Sequence, residues 1–252
     1  MTQPIYDFSE RVVVVTGGSR GVGAGVVAAF VAAGAHVVAC GRHEATVDGA
    51  VFVTADIRKP SEAERVIAKA VEHFGRLDVL INNAGGSPNA PAAEASPRFV
   101  EAIVNLNLLA PLWCAQSAHK VMAVQEDGGS IVNISSVSGM RPSPGASAYG
   151  AAKAGLINLT ATLAVEWAPA VRVNCVTAGL LDTGAGDDFY GGPEGMERAA
   201  ATVPVGRMGT PADVAEACLY LSSDAASYVT GANLVVHGGG EPPPFLGAVA
   251  GS

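Results

Sequence analysis

The sequence predicts an α/β fold in which a parallel β-sheet is covered by helices on both faces. Short β-branched runs alternate with longer helical patterns along the chain, which is typical of βαβ units. Of the 252 residues 49% are hydrophobic and only 15% are charged, the reverse of a disordered composition. Because no Pro/Ser-rich linker or internal repeat interrupts the alternation, we expect one domain over residues 1–252.

Seven segments carry a strand pattern and five carry a helical pattern. The expected strands are Arg11–Thr16, Ala35–Cys40, Ala50–Val53, Leu77–Ile81, Ser130–Ser135, Val171–Val176 and Asn233–Val236. The expected helices are Val22–Ala33, Ser61–Phe74, Pro97–Gln125, Ser147–Trp167 and Pro211–Ser222. Two of these helices have clear start signals, Ser61 with Glu64 three residues on and Pro211 two residues before Asp213. The sequence therefore predicts a seven-stranded parallel sheet flanked by helices.

Charge and cysteine usage exclude several classes of partner. The chain has 15 Lys+Arg against 23 Asp+Glu and a net charge of -8, with no basic stripe, so we expect no nucleic-acid or membrane partner. The four cysteines have neither a CxxC spacing nor a histidine at ligand spacing, so we expect no metal and no disulfide.

One stretch raises the question of a membrane span, because residues 22–41 contain no Asp, Glu, Lys or Arg. Gly34 interrupts this stretch, and a β-branched pair, Val37-Val38, follows. A helix that ends at Gly34 and then a buried strand explains the pattern better than one continuous helix. The first residues include Asp7, Glu10 and Arg11 and lack the pattern of a signal peptide, so we expect a cytoplasmic protein.

A glycine-rich turn follows the first strand. Gly17, Gly21 and Gly23 are spaced G-x-x-x-G-x-G between a strand and a helix. Glycine permits positive φ and close approach of backbone, and a helix N-terminus attracts a phosphate. The turn predicts a dinucleotide site.

Two arginines favour NADP(H) as the cofactor, with NAD(H) possible. Gly41 stands at the end of the second strand, where an acid would favour NAD(H), and Arg42 follows it. Arg20 lies in the glycine turn, and two guanidiniums converging on one phosphate suit a 2′-phosphate. The alternative is that both are solvated surface arginines.

Tyr149 and Lys153 are four residues apart in a helical segment, so their side chains lie on one face. The ammonium is expected to lower the tyrosine pKa and so to make the phenol a proton donor or acceptor near neutral pH. Ser136 follows a strand end and faces the crevice where such sheets bind ligands, although a turn serine is the plain alternative.

Residues 184–202 combine five glycines, four acidic residues and the adjacent aromatics Phe189 and Tyr190. The segment is either a lid over a ligand site or a mobile surface loop. Met140, Leu180 and these two aromatics could line an apolar cleft for a ketone or secondary alcohol, but core packing explains some of them equally well. The tail, residues 238–252, is expected to be irregular.

Taken together, the motifs resemble those of the short-chain dehydrogenase/reductases of the classical type, from about Arg11 to Gly239. The matching residues are Thr16-Gly17-Gly18-Ser19-Arg20-Gly21-Val22-Gly23, Asp56-Ile57, Asn82-Asn83-Ala84-Gly85, Asn107 in Asn107-Leu108-Leu109-Ala110-Pro111, Ser136, Tyr149-x-x-x-Lys153 and Arg207-x-Gly-x-Pro-x-Asp213. The resemblance implies a Rossmann-type domain that transfers a hydride between NADP(H) and a small-molecule carbonyl or alcohol.

The resemblance also implies a role for each matching residue. Tyr149 would be the general acid or base, Lys153 would hold the nicotinamide ribose, and Ser136 would bind the substrate oxygen. Asn107 would keep a water for a proton relay, although a polar residue that kinks a long helix is the alternative. The implied cofactor contacts are Gly17, Ser19, Arg20, Gly21, Val22, Gly23, Arg42, Asp56, Ile57, Asn83, Ala84, Gly85, Tyr149, Lys153, Gly179, Leu181 and Thr183.

Three departures from the family pattern stand out. Ala178-Gly179 replaces a usual Pro-Gly pair, and His237 replaces a common acid. The segment from Arg42 to Asp56 is short, so we expect a loop in place of the usual helix.

Other functions on the same fold stay open. These are a catalytically idle nucleotide-binding scaffold, an NAD-linked alcohol dehydrogenase, and a dehalogenase of the halohydrin type, which would place Arg where Lys153 stands. The resemblance and the apolar helices Pro97–Gln125 and Ser147–Trp167 imply a homotetramer or a homodimer.

Overall fold

The computed structural model describes residues 6–184, 190–243 and 245. Its centre is a parallel sheet of seven strands. The strands are β1 (Val12–Thr16), β2 (His36–Gly41), β3 (Ala50–Thr54), β4 (Val79–Asn82), β5 (Gly129–Ser136), β6 (Val171–Ala178) and β7 (Asn233–Val236). They lie in the order β3-β2-β1-β4-β5-β6-β7, and every neighbouring pair is parallel. The predicted α/β fold with a seven-stranded parallel sheet is confirmed.

Helices cover both faces of this sheet. They are α1 (Gly21–Ala32), α2 (Pro60–Phe74), α3 (Pro97–Val104), α4 (Ala110–Met122), α5 (Ser147–Trp167), α6 (Gly192–Ala201) and α7 (Pro211–Ser222). Helices α2, α4 and α5 share one buried apolar cluster with the sheet, and α1 and α7 share the other. The strands are therefore buried on both faces, which explains their continuous apolar runs.

The chain reverses its winding direction between β1 and β4. Strands β2 and β3 extend the sheet on one side of this pair, and β5, β6 and β7 extend it on the other. In doubly wound sheets a crevice opens at such a point, outside the carboxyl ends of the strands, and ligands bind there. The glycine turn follows β1 and lies at this crevice.

The stretch without charged residues divides as predicted. Helix α1 ends at Ala32, Gly34 adopts a φ of +90°, and β2 begins at His36. The left-handed φ of Gly34 breaks the helix before the buried strand.

The prediction of one helix over Pro97–Gln125 was wrong in two respects. A π-helical turn, Asn105–Leu109, separates α3 from α4, and α4 ends at Met122. Within the described residues, the helical stretch Pro97–Met122 alone is long and apolar enough to span a bilayer. Its side chains Ala110, Cys114 and Ala118 are fully buried against the sheet, which is the packing of a core helix.

The remaining segments partly match the expectations. No helix forms between β2 and β3, as expected from the short segment there. The 184–202 segment contains α6, a helix that sequence reasoning missed, and Phe189 lies outside the described residues. Residues 240–243 of the tail are irregular, and residues 244 and 246–252 lie outside the described part of the chain.

Candidate active site

Helix α5 presents Tyr149 and Lys153 one turn apart at the carboxyl end of the sheet. Lys153 is buried, with 3% of its surface exposed, and its Nζ donates a hydrogen bond of 2.8 Å to the carbonyl oxygen of Ile134 on β5. The same Nζ lies 5.7 Å from the centre of the Tyr149 ring. The spacing in the sequence therefore brings the two side chains together as predicted.

Burial changes the proton affinity of both groups. It lowers the pKa of Lys153 to about 8 because an ammonium loses its hydration there. It also raises the pKa of Tyr149 above its ordinary value, while a hydrogen bond with Ser136 acts in the opposite direction. The expectation that Lys153 lowers the tyrosine pKa is therefore wrong for this structure. Removal of the phenol from water outweighs the other effects.

Ser136 is the last residue of β5 and lies beside the tyrosine. Its Oγ accepts a hydrogen bond of 3.2 Å from the backbone N–H of Ser138, which begins a short 3₁₀ turn, Val137–Gly139. The serine thus caps this turn, as a turn serine would, and it also acts on the Tyr149 pKa. Its role in binding a substrate oxygen stays a prediction.

Asn107 lies in the middle of the π-helical turn and is fully buried. Its Nδ2 donates to the carbonyl oxygens of Gly86 at 3.0 Å and Ile103 at 2.9 Å, and its Oδ1 accepts from the Gly86 N–H at 2.9 Å. A Cβ added at Gly85 would lie 2.7 Å from Asn107 Oδ1 and 3.1 Å from Lys153 Nζ. Asn107 therefore lies in the distorted part of the helix, as the kink alternative predicts, and next to Lys153. Its role in keeping a relay water stays a prediction.

The glycine turn is held closely by the loop after β4. Gly17 and Gly21 adopt φ values of +66° and +53°, in the region that favours glycine. A Cβ on Gly23 would lie 2.1 Å from the Gly17 carbonyl oxygen. Asn83 Nδ2 donates to the same carbonyl at 3.2 Å, and the Ala84 N–H donates to Thr16 Oγ1 at 3.0 Å. The two loops form one rigid edge of the crevice.

The first turn of α1 is suited to an anion. No side chain caps this helix, because the N-cap residue Arg20 makes no capping hydrogen bond. The first turn contains Gly21, Val22 and Gly23 and no acidic residue. Its backbone N–H groups and the helix dipole can therefore hold a pyrophosphate.

Arg20 and Arg42 are both exposed. Ser19, in the glycine turn beside Arg20, lies close to Gly41, which precedes Arg42. A Cβ added at Gly41 would lie 3.5 Å from Ser19 Oγ and 3.1 Å from the tip of the Phe52 ring. The glycine turn and the end of β2 are therefore close neighbours. An acid at position 41 would also crowd Phe52.

Asp56 follows β3, and Arg58 binds its carboxylate. Arg58 Nε donates to Asp56 Oδ1 at 2.8 Å, and Arg58 Nη2 donates to Oδ2 at 2.6 Å. The hydrogen bond from Arg58 lowers the pKa of Asp56, and the charge of Arg42 acts in the same direction. Ile57, next in the chain, is buried. Sequence reasoning missed Arg58, although its position two residues after Asp56 is a local signal.

The segment after β6 returns to the glycine turn. A Cβ on Gly21 would lie 3.6 Å from Thr183 Cβ, so Thr183 reaches the first turn of α1. Leu181 and Gly209 form a parallel bridge, in which the Gly209 N–H donates to the Leu180 carbonyl oxygen at 2.9 Å and the Asp182 N–H donates to that of Gly209 at 2.8 Å. Backbone pairing thus holds Leu181 and Thr183 at the crevice.

The Arg207–Asp213 motif holds the other side of this bridge. Arg207 Nη1 and Nη2 donate to Asp213 Oδ2 and Oδ1 at 2.7 and 2.8 Å. Asp213 and Thr210 form a capping box at the start of α7. The motif therefore fixes Gly209, and through it Leu181.

Gly179, which follows the departure Ala178, lies against His237, another departure from the family pattern. A Cβ on Gly179 would lie 2.6 Å from His237 Cβ. The Gly179 N–H also donates to the Val236 carbonyl oxygen at 2.9 Å. Glycine at 179 therefore lets the backbone after β6 approach the end of β7.

Comparison with known proteins assigns the family. A family model described as enoyl-(acyl carrier protein) reductase matches residues 17–241. A 3alpha-hydroxysteroid dehydrogenase of Mediterraneibacter gnavus is 36% identical, covering 90% of this chain and 96% of that protein. An L-fucose dehydrogenase of Bos taurus is 34% identical, covering 93% of this chain and 90% of that protein.

Solved structures agree. The aldohexose dehydrogenase of Thermoplasma acidophilum has a TM-score of 0.88 at 30% identity, covering 93% of this chain and 95% of that one. A Brucella melitensis structure described as a short-chain dehydrogenase/reductase of the glucose/ribitol dehydrogenase type has a TM-score of 0.86 at 29% identity, covering 93% of this chain and 98% of that one. The chain belongs to the short-chain dehydrogenase/reductase family.

As a short-chain dehydrogenase/reductase, the protein is an NAD(P)-dependent oxidoreductase that acts on small molecules. The residues at the crevice fit a dinucleotide, because the close packing of Gly17 and Gly23 leaves bare backbone beside an uncapped helix terminus. Among the described residues, no group of three or more His, Cys, Asp or Glu side chains comes together that could hold a metal ion.

Proposed function

We propose that this short-chain dehydrogenase/reductase transfers a hydride between NADP(H) and a carbonyl or secondary alcohol, with Tyr149 as general acid and base. The observation that carries the proposal is the convergence of four side chains at the carboxyl end of β5, here called the tetrad: Asn107, Ser136, Tyr149 and Lys153. Lys153 Nζ lies 5.7 Å from the centre of the Tyr149 ring, and Ser136 acts on the Tyr149 pKa. A Cβ added at Gly85 would lie 3.1 Å from Lys153 Nζ and 2.7 Å from Asn107 Oδ1, so these two groups are close neighbours. The bound cofactor supplies or accepts the hydride.

The tyrosine suits proton donation to a carbonyl. Because burial raises its pKa, Tyr149 carries its proton at neutral pH and can give it from Oη to the substrate oxygen. Ser136 Oγ would hold that oxygen in place. Ser136 and Tyr149 are partly buried, so hydrogen bonds to the substrate oxygen are stronger here than they would be in solvent.

Lys153 is suited to return a proton to Tyr149 after the transfer. Its pKa of about 8 makes both the ammonium and the amine accessible near neutral pH. The Asn107 amide accepts a hydrogen bond from the Gly86 N–H and lies beside Lys153 at Gly85. Lys153 would also hold the nicotinamide ribose, and Asn107 would keep the relay water.

The remaining residues would hold the cofactor. Gly17, Ser19, Gly21, Val22 and Gly23 would hold the pyrophosphate, and Asn83, Ala84 and Gly85 would line it with backbone. Asp56 and Ile57 would contact the adenine, and Gly179, Leu181 and Thr183 would contact the nicotinamide end. Arg20 and Arg42 would bind a 2′-phosphate, since both are exposed beside the glycine turn and Gly41 offers no acid.

We further propose a cytoplasmic homotetramer or homodimer. A groove between α4 and α5 is lined by apolar side chains such as Leu112, Trp113 and Trp167 together with polar and charged ones, and Val165 on α5 is 82% exposed. Exposed apolar surface of this kind suits contact with a second copy of the chain. Light scattering coupled to gel filtration measures the subunit number.

A panel of carbonyls and alcohols, each assayed by nicotinamide absorbance with NADP(H) and with NAD(H), tests the function. We expect turnover of one or more compounds and a preference for NADP(H). Binding of NADPH without turnover of any member would favour the idle scaffold. Turnover restricted to NAD(H) would favour the NAD-linked alcohol dehydrogenase.

A further inference from the structure

A chain of buried side-chain hydrogen bonds crosses one face of the sheet from α4 to α5. Asn82 Nδ2 donates to the Pro111 carbonyl oxygen at 3.1 Å and to Asn133 Oδ1 at 2.9 Å. Asn133 Nδ2 then donates to Thr160 Oγ1 at 2.9 Å. Asn82, Asn133 and Thr160 are each at most 2% exposed. The chain joins α4, β4, β5 and α5 in one line.

A second set of bonds joins the same strand and helix near the tetrad. Ser135 Oγ donates to the Lys153 carbonyl oxygen at 3.0 Å, and Lys153 Nζ donates to the Ile134 carbonyl oxygen at 2.8 Å. The strand and the helix are thus joined at two places, Asn133–Thr160 and Ser135–Lys153. These two places are two residues apart on β5, a distance of about 7 Å, and seven residues apart on α5, a distance of about 10 Å. Two separated attachments fix how far the helix slides along the strand and how it turns.

The donors and acceptors in this chain of hydrogen bonds allow only one orientation of the Asn133 amide. Asn133 Oδ1 accepts from Asn82, so Nδ2 is the group that faces Thr160. The hydroxyl hydrogen of Thr160 is used within the helix, because Oγ1 donates to the Leu156 carbonyl oxygen at 2.8 Å. Directional hydrogen bonds between buried side chains limit the position of a helix on a sheet more narrowly than apolar contacts do. Within this network Asn82 Oδ1 accepts no hydrogen bond from any described residue, so the helix is held by the donors of Asn82 and Asn133.

This chain of hydrogen bonds also connects the two helical segments that carry Asn107 and Lys153. Pro111 lies one turn after Asn107, and Thr160 lies two turns after Lys153. Asn82 and Asn133 span the two strands between these segments. The length of this hydrogen-bond chain therefore sets the separation between Asn107 and Lys153.

We propose that Asn133 and Thr160 are positioning residues, which hold α5 at one place on β5 and thereby hold Lys153 and Tyr149 relative to Asn107. The importance of this placement for catalysis rests on the proposed function. The placement itself can be measured without turnover, so it is independent of that function.

The test is a pH titration of the Lys153 side chain by NMR, with ¹³C-labelled lysine. The chain has only four lysines, so the signals are few, and Lys153 disappears in Lys153→Met. The titratable groups that face Lys153 are Tyr149 on its own helix and Cys175 on β6. Burial raises the pKa of both, so both are neutral while Lys153 titrates. Asn107 and Ser135 beside it do not titrate.

Thr160→Val keeps the shape of the side chain and removes the acceptor for Asn133. We expect the Lys153 midpoint to rise by about half a pH unit or more, because a displaced helix lets water reach the ammonium. Thr160→Ser keeps the hydroxyl and should restore the wild-type midpoint. Thr162→Val is the matched control, because Thr162 makes the same bond to the carbonyl four residues back but is exposed in the subunit, on the groove between α4 and α5.

A second variant keeps the test valid should Thr160→Val fail to fold. Asn133→Val leaves Asn82 its bond to Pro111 and Thr160 its bond to Leu156. The same upward shift of the Lys153 midpoint is expected in this variant. A midpoint equal to that of Thr162→Val, in a folded Thr160→Val or Asn133→Val protein, would overturn the proposal.

Discussion

Lys153 Nζ lies 5.7 Å from the centre of the Tyr149 ring, and burial shifts the pKa of both groups. Burial therefore disfavours the charged form of each group. The site holds a protonated phenol beside an amine that gains or loses its proton close to neutral pH.

The burial of Lys153 predicts a pH dependence of stability. Its pKa is about 8 in the folded protein, below the ordinary value of 10.5, so the unfolded chain binds more protons between these values. The contribution of Lys153 to the free energy of unfolding therefore rises with pH in this window and falls as pH drops through 8.

Comparison with Lys153→Met isolates this contribution from the other titrating groups. Urea unfolding at pH 7.5 and pH 9.5 should show wild type gaining about 2 kcal/mol relative to the variant at the higher pH. A difference between the two proteins that stays constant across the window would mean that Lys153 is not desolvated.

The glycine turn predicts a loss of cofactor binding in Gly23→Ala. The new methyl would lie 2.1 Å from the Gly17 carbonyl oxygen and 2.5 Å from Asn83 Nδ2, so the turn must open. We expect NADPH affinity, measured by fluorescence titration, to fall by about tenfold or more, since the pyrophosphate depends on this backbone.

Gly155→Ala is the matched control for the glycine turn. It makes the same substitution in α5, where the nearest atoms are Leu108 methyl groups at 3.2 and 3.4 Å. These can move, and alanine favours a helix, so binding should be unchanged. Wild-type affinity in Gly23→Ala would refute the assigned pyrophosphate site.

The arginine pair predicts a cofactor preference. Arg42→Ala should weaken NADPH binding by about tenfold or more, the effect of losing a charge-assisted hydrogen bond, and leave NADH binding within about twofold. Lys120→Ala, which removes an exposed cation from α4, is the control and should change neither affinity. Equal affinities of the wild-type protein for NADPH and NADH would rule out the phosphate pocket.

Much of the fold follows from local patterns in the sequence. Buried strands such as Val12–Thr16 and Val171–Ala178 are short apolar runs between helical patterns, and every expected strand formed. The position of Ser136 at the crevice was predictable because parallel strands bring their carboxyl ends to one edge, and helical spacing placed Tyr149 and Lys153 together. The inclusion of Asn107 depended on the family resemblance alone.

Other features depend on partners far apart in the chain. The π-helical turn is associated with the bonds of Asn107 to Gly86, 21 residues earlier, so a periodic pattern predicted an unbroken helix instead. The bond between Asn133 and Thr160 spans 27 residues. The upward shift of the Tyr149 pKa depends on burial by the whole fold, which spacing alone does not give.

The most direct test of the account is turnover by Tyr149→Phe, measured by nicotinamide absorbance with a substrate found in the carbonyl and alcohol panel. The variant keeps the ring beside Lys153 and removes only the hydroxyl group, which carries the proton that the substrate oxygen needs. We predict that kcat falls by about a hundredfold or more while the affinity for NADPH stays within about twofold. Turnover close to that of the wild-type protein, with the cofactor bound normally, would contradict the assignment of Tyr149 as the general acid and base.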